Sequence, residues 1–124
     1  MYVDEPIKIE NWEPENYGGG FRGPTTVRDA FKLSTNTVAA QIVEEVGAAN
    51  VVRMARRFGI NRPMAPVPSI ALGSQEVTLR ELVMAYAVFL NDGDYHAPYI
   101  VEEISDTQGD ALYARPRFEP EQVY

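Results

Sequence analysis

The sequence contains no cysteine, so neither a disulfide framework nor a thiolate metal site can form. It has one histidine, His96, which excludes histidine-based metal clusters. His96 itself reads as a surface residue in the turn before Pro98. Lysine occurs only as Lys8 and Lys32, and the formal net charge is -7. Such a balance argues against nucleic acid, whose phosphates attract lysine and arginine. No run approaches the roughly 18 apolar residues of a membrane helix, and no signal peptide opens the chain, so the chain itself is expected to be soluble. Internal repeats and low-complexity tracts are also missing, and nothing calls for a cofactor or a metal. What is present is a chain of 124 residues, 45% hydrophobic, which suits one domain or a piece of a larger one and can build a core.

Proline, glycine and capping residues divide that chain. Residues 1–24 are expected to form an extended, irregular arm, because Pro6, Pro14 and Gly18-Gly19-Gly20 break any helix. Trp12, Pro14, Asn16 and Tyr17 are its bulky anchors. The glycine run lacks a following Gly-Lys-Ser/Thr and no strand-like run leads straight into it, which excludes a P-loop. Four helices are expected, near 26–33, 37–46, 50–58 and 79–91. Thr26 and Asp29 make a capping box for the first, with Val27, Ala30 and Phe31 on one face. Asn36 or Thr37 is the expected N-cap of the second, which carries Ala39, Ile42, Val43 and Val46 at helical spacing and stops at Gly47. In the third, Val51, Met54, Ala55 and Phe58 form the apolar face, Arg53, Arg56 and Arg57 a solvated one, and Gly59 the end.

Residues 60–77 read as a long loop, and its apolar stretch 68–73 should pack under something or line a site. Thr78 and Glu81 make a second capping box. Leu79, Leu82, Val83, Tyr86, Ala87 and Leu90 then repeat with helical period, and Met84 and Phe89 add apolar surface, so this helix is expected to be buried on more than one side. Asn91-Asp92-Gly93 stops it. A hairpin is expected near 99–105 and 110–114, turning at Asp106-Thr107-Gln108-Gly109, and 115–124 read as a frayed end or the start of a further segment. The fold class is α+β, mostly helical with a C-terminal hairpin.

The stretch most able to carry chemistry is Ser34-Thr35-Asn36, at the joint of the first two helices. If that joint is extended, Ser34 and Asn36 point the same way, because strand-like backbone repeats every two residues. A hydroxyl and an amide would then face one space beside a helix N-terminus. The local alternative is that both residues only cap and turn.

Taken together, several stretches resemble the transpeptidase domain of class A (bifunctional) penicillin-binding proteins. They are Trp12-Glu13-Pro14-Glu15-Asn16-Tyr17, Gly23-Pro24-Thr25-Thr26-Val27-Arg28-Asp29-Ala30, Ser34-Thr35-Asn36, and Ser69 through Thr78. Glu81, Ala85-Tyr86-Ala87, Asn91-Asp92-Gly93, Pro98 and the hairpin 104–113 continue the match in order. These enzymes carry Ser-x-x-Lys, Ser-x-Asn and Lys-Thr-Gly motifs. Only the second is here, so the resemblance implies a middle slice of the domain, spanning 1–124, with neither nucleophile nor general-base lysine in this chain.

For the parent, the resemblance implies serine attack on the D-Ala-D-Ala bond of a peptidoglycan stem peptide, an acyl-enzyme, and reaction with β-lactams. Ser34 would relay a proton between the catalytic lysine and the departing group. Asn36 would orient that lysine and bind the acyl-side amide of the substrate. Ser69 and Ser74 read as loop residues. A glycosyltransferase domain, a membrane anchor and a periplasmic or extracytoplasmic site are implied as well. The isolated chain is expected to be inactive and to self-associate through surface that the rest of the domain would cover. A serine β-lactamase-like hydrolase and a non-catalytic helical interaction module are the competing readings.

Overall fold

A computed structural model describes all residues, 1–124, as an α+β chain in two compact units: Met1–Ala55 with Arg62–Val77, and Arg56–Asn61 with Thr78–Tyr124. In the first unit, strand β1 (Tyr2–Asp4) pairs antiparallel with β2 (Gly23–Thr25), Tyr2 opposite Thr25 and Asp4 opposite Gly23. Between them, Ile9 and Trp12 exchange backbone hydrogen bonds of 2.9 Å. Ile9 and Pro14 are buried and Trp12 is half-buried, whereas Tyr17, expected as an anchor, is fully exposed.

Helix α1 (Val27–Lys32) begins at Thr26, whose hydroxyl oxygen accepts from the Asp29 N–H and whose proton goes to the Asp29 carboxylate. The expected apolar face is not covered as a face: only Ala30 is buried, and Phe31 is 88% exposed. Helix α2 (Asn36–Val46) buries Thr37, Val38, Ala40 and Val43, a side rotated from the expected stripe, because Thr37 turns inward to a buried carboxylate. Gly47, at φ 89°, ends α2, and its carbonyl accepts from Asn50 and Val51. Helix α3 (Ala48–Arg57) therefore starts earlier than expected, directly after the stop. Its arginines are exposed, and Val52, outside the expected stripe, is its buried residue. The apolar stretch of the long loop closes into a 3-10 turn at Pro68–Leu72 that packs against α2, which gives this loop its cover.

In the second unit, helix α4 (Leu79–Leu90) opens with a complete capping box. Glu81 N–H donates to the Thr78 hydroxyl (3.2 Å) and Thr78 N–H to the Glu81 carboxylate (3.0 Å). Only Ala85 and Val88 of α4 are buried, which corrects the expectation of burial on more than one side. Strand β3 (Asp94–Tyr95) pairs antiparallel with a short strand at Glu121–Gln122 near the C-terminus. Val123 is fully buried and its N–H donates to Gly93 O (2.8 Å), so the last residues are built in rather than frayed. Phe58, Phe89 and Tyr124 form an aromatic cluster with ring centroids 5.2–6.1 Å apart. The expected hairpin is present as β4 (Glu103–Ser105) and β5 (Ala111–Ala114), and the closing strand Glu121–Gln122 is β6. The Asp106 carboxylate accepts from Gln108 and Asp110 N–H (2.8 and 2.9 Å) to close the turn.

Candidate active-site joint

The joint between α1 and α2 is not extended. Ser34 has φ 52°, in the left-handed region, Thr35 alone is extended (φ -75°, ψ 107°), and Asn36 is already helical. Alternation along a strand therefore does not relate Ser34 to Asn36, which corrects the expectation. What sets the geometry is the way α1 ends. The Thr35 N–H donates to Ala30 O (2.9 Å) and the Ser34 N–H to Phe31 O (3.2 Å), the paired bonds of a Schellman motif. Ser34 thus occupies the left-handed position that glycine usually takes at a helix C-terminus. It is exposed, and its hydroxyl makes no hydrogen bond within the chain.

Helix α2 is capped from a distance. Thr35 holds the N-cap position but contributes no side-chain bond, and neither Asn36 nor Thr37 is the cap. Instead the side-chain oxygen of Asn16, twenty residues back, accepts from the Asn36 N–H (3.0 Å) and the Thr37 N–H (3.4 Å). The neighbouring Glu15 carbonyl accepts from the Asn36 side-chain amide (2.6 Å). Backbone and side chain of Asn36 are therefore gripped by two consecutive residues.

Asn16 is anchored in turn. Its amide donates to Asp4 Oδ1 (2.7 Å) and to Gly20 O (3.1 Å). Asp4 is 1% exposed and also accepts from the Thr37 hydroxyl (2.6 Å) and the Arg22 N–H (2.9 Å). Burial pushes the Asp4 carboxyl upward, but the hydrogen bonds from Thr37, Asn16 and Arg22 together outweigh it and hold the group below its ordinary value of 3.8. Asp4 was not singled out by the sequence, Glu15 entered only within the stretch 12–17 that carries the resemblance, and Thr37 only as an expected N-cap. The one signal was the placement of Asp4 and Asn16 in a stretch with no helix of its own to cap.

Other candidates lie elsewhere. Ser69 and Ser74 bond to each other, with oxygens 2.9 Å apart. His96 is exposed and lines a shallow hollow of about 170 Å³ in the second unit with Tyr95, Arg115 and Phe118. No group of three or more histidine or carboxylate side chains is placed to hold a metal ion.

The family described as the penicillin-binding protein transpeptidase domain matches residues 1–123. The chain belongs to that family. Penicillin-binding protein 1A of Rickettsia typhi is 36% identical over 121 residues, 93% of this chain and 15% of that protein. The protein of the same name from Pseudomonas aeruginosa is 33% identical over 114 residues, 91% of this chain and 14% of its own length. The chain thus spans about 15% of the curated relatives it matches. Among solved structures, penicillin-binding protein 1A from Haemophilus influenzae superposes with a TM-score of 0.85 at 31% identity, covering 98% of this chain and 18% of that one. PonA1 from Mycobacterium tuberculosis, in complex with penicillin V, has a TM-score of 0.80 at 23% identity over 90% of this chain and 34% of its own, a likeness of fold. The four helices and antiparallel strand pairs are those of this transpeptidase fold.

Proposed function

We propose that this chain is the middle part, 1–124, of a D,D-transpeptidase domain, with 1–24 as its arm, in a membrane-anchored, class A penicillin-binding protein. The parent cross-links peptidoglycan stem peptides on the periplasmic or extracytoplasmic side and reacts with β-lactams. A glycosyltransferase domain accompanies it elsewhere. In this chain no helix is long and apolar enough to cross a membrane. A nucleophilic serine supplied from outside this chain attacks the D-Ala-D-Ala carbonyl, D-alanine leaves, and a neighbouring stem amine displaces the enzyme from the acyl group. Ser34 relays the proton between the general-base lysine and the departing nitrogen, and Asn36 positions the lysine and the substrate amide.

The observation that carries this reading is the chemistry of the joint. The exposed Ser34 hydroxyl is uncommitted within the chain and can donate and accept at once. The Asn36 amide gives one hydrogen to Glu15 O, leaving its oxygen for an ammonium and its second hydrogen for a carbonyl. Such a joint works only if it is rigid, and the α1 terminus and the Asn16 cap make it so.

The test is intact mass of the full-length protein after benzylpenicillin, with the adduct mapped to a peptide. One stable adduct on a serine outside this chain is expected, the isolated chain takes none, and Ser34→Ala or Asn36→Ala slows acylation while leaving the melting temperature nearly unchanged. Rapid penicillin turnover would favour the hydrolase reading. A folded full-length protein without an adduct would instead favour a non-catalytic interaction module.

A further inference from the structure

We infer that Asn16 and Asp4 are positioning residues for the transpeptidase reaction, Asn16 by fixing the first turn of α2 under Asn36 and Asp4 by fixing Asn16. The inference rests on the proposed transpeptidase reading and adds a second layer of residues to it. A helix that opens without a cap leaves its first N–H groups without partners, and its first turn is then free to fray. α2 opens with a threonine that makes no cap bond, so its order depends on the Asn16 oxygen at 3.0 Å from Asn36 N and 3.4 Å from Thr37 N.

Every polar capacity of that side chain is used. Its oxygen takes two helix N–H groups, and its two amide hydrogens go to Asp4 Oδ1 and Gly20 O. A side chain with only an acceptor or only a donor cannot do both jobs, which is why an amide stands there. Asp4 adds a second line of control, because the same Oδ1 that holds Asn16 holds the Thr37 hydroxyl at 2.6 Å. The carboxylate therefore ties the cap to the second residue of the helix being capped. Moving Asn16 would also move Glu15, whose carbonyl holds the Asn36 amide at 2.6 Å. The reacting face of Asn36 is thus set by the arm rather than by α2 alone.

The test follows acylation of the full-length protein by benzylpenicillin and reads two quantities, the second-order rate constant and the fraction of molecules acylated at completion. Asn16→Ala is expected to lower the rate constant on the order of tenfold to a hundredfold while that fraction stays near the wild-type value. A purely structural role would lower the fraction and leave the rate of the folded molecules unchanged, and that result would overturn the inference.

A rescue gives the second test, and decides alone should Asn16→Ala not fold. Asn16→Asp sets two carboxylates where a 2.7 Å hydrogen bond now lies and should slow acylation. Adding Asp4→Asn restores a donor facing an acceptor and should recover about tenfold of the loss. A wild-type rate in Asn16→Asp, or no recovery in the paired exchange, would overturn the inference. The two readings fail separately. Wild-type protein without an adduct, or Asn36→Ala at full rate, removes the transpeptidase reading and this inference with it. Slow acylation by Asn36→Ala beside a full rate in Asn16→Ala removes this inference alone.

Discussion

A left-handed backbone costs an L-residue about 1–2 kcal/mol, and Ser34 carries that cost at a position where glycine carries none. Stability alone therefore selects glycine there, and a serine at φ 52° points to a use for the hydroxyl. Ser34→Gly in the full-length protein is expected to raise stability by about 0.5–1 kcal/mol, the relief being offset partly by the freer unfolded chain. The same change should cut acylation at least about a hundredfold, the usual worth of a positioned proton-transfer group. Thermal melts read beside penicillin acylation check both, and an unchanged rate would show that the hydroxyl has no catalytic task. Asp4 makes a prediction of a different kind. Its folded carboxyl lies below 3.8, so its stabilising contribution is present above the unfolded pKa and is lost as pH falls through the folded one. Asp4→Ala leaves the Thr37, Asn16 and Arg22 donors unpaired and should cost about 2–3 kcal/mol at pH 7. The gap between wild type and variant should narrow between pH 7 and a pH below the folded carboxyl's pKa. Denaturant titrations at both pH values measure it, and a gap that widens in acid would contradict the sign.

Helix ends were legible because caps and glycines act locally. Thr78 with Glu81, Gly47, Gly59 and the Asp106 turn stand where the sequence places them. Which face of each helix is covered was not legible, since periodicity marks an apolar stripe without saying what lies against it. Phe31 and Leu79 are exposed for that reason, and Thr37 is buried because a carboxylate from another element meets it. The joint was half legible. Residue types and spacing singled out Ser34 and Asn36, but a left-handed serine and a cap arriving from Asn16 depend on contacts no local pattern contains. Gly59 shows an element boundary that answers to both kinds of constraint. Its φ is 88°, and a Cβ built on it would run into the Tyr95 ring, so the turn after α3 also makes room for β3. Gly59→Ala is expected to destabilise by about 3 kcal/mol, combining backbone strain with overpacking. Adding Tyr95→Ala should relieve the clash but not the strain, so the double variant should melt above the value expected if the two losses simply added. Strictly additive losses would show that the ring is not the obstacle.

At the scale of the whole molecule, α4 presents a run of uncovered apolar side chains at helical spacing: Leu79, Val83, Tyr86 and Leu90 are 77%, 55%, 67% and 86% exposed, and Leu82 and Phe89 add to them. Monomeric proteins seldom leave so much contiguous apolar surface in water. The net charge of -7 opposes association, but surface charges farther apart than about 8–10 Å are largely screened at physiological salt, and α4 itself carries only Arg80 and Glu81. Covering one large apolar side chain is worth about 1.5–3 kcal/mol, so a few covered together outweigh that repulsion. The isolated chain is therefore expected to self-associate through α4. Sedimentation velocity at micromolar concentration should give a mass above that of one chain, and Val83→Glu with Tyr86→Glu should return it to the monomer. In the full-length protein, where the proposed remainder of the domain covers α4, the same pair of changes should lower the melting temperature and leave the oligomeric state alone. A wild-type isolated chain that sediments as a clean monomer would mean that α4 is tolerated bare. An unchanged melting temperature in the full-length variant would mean that nothing in the rest of the domain covers it.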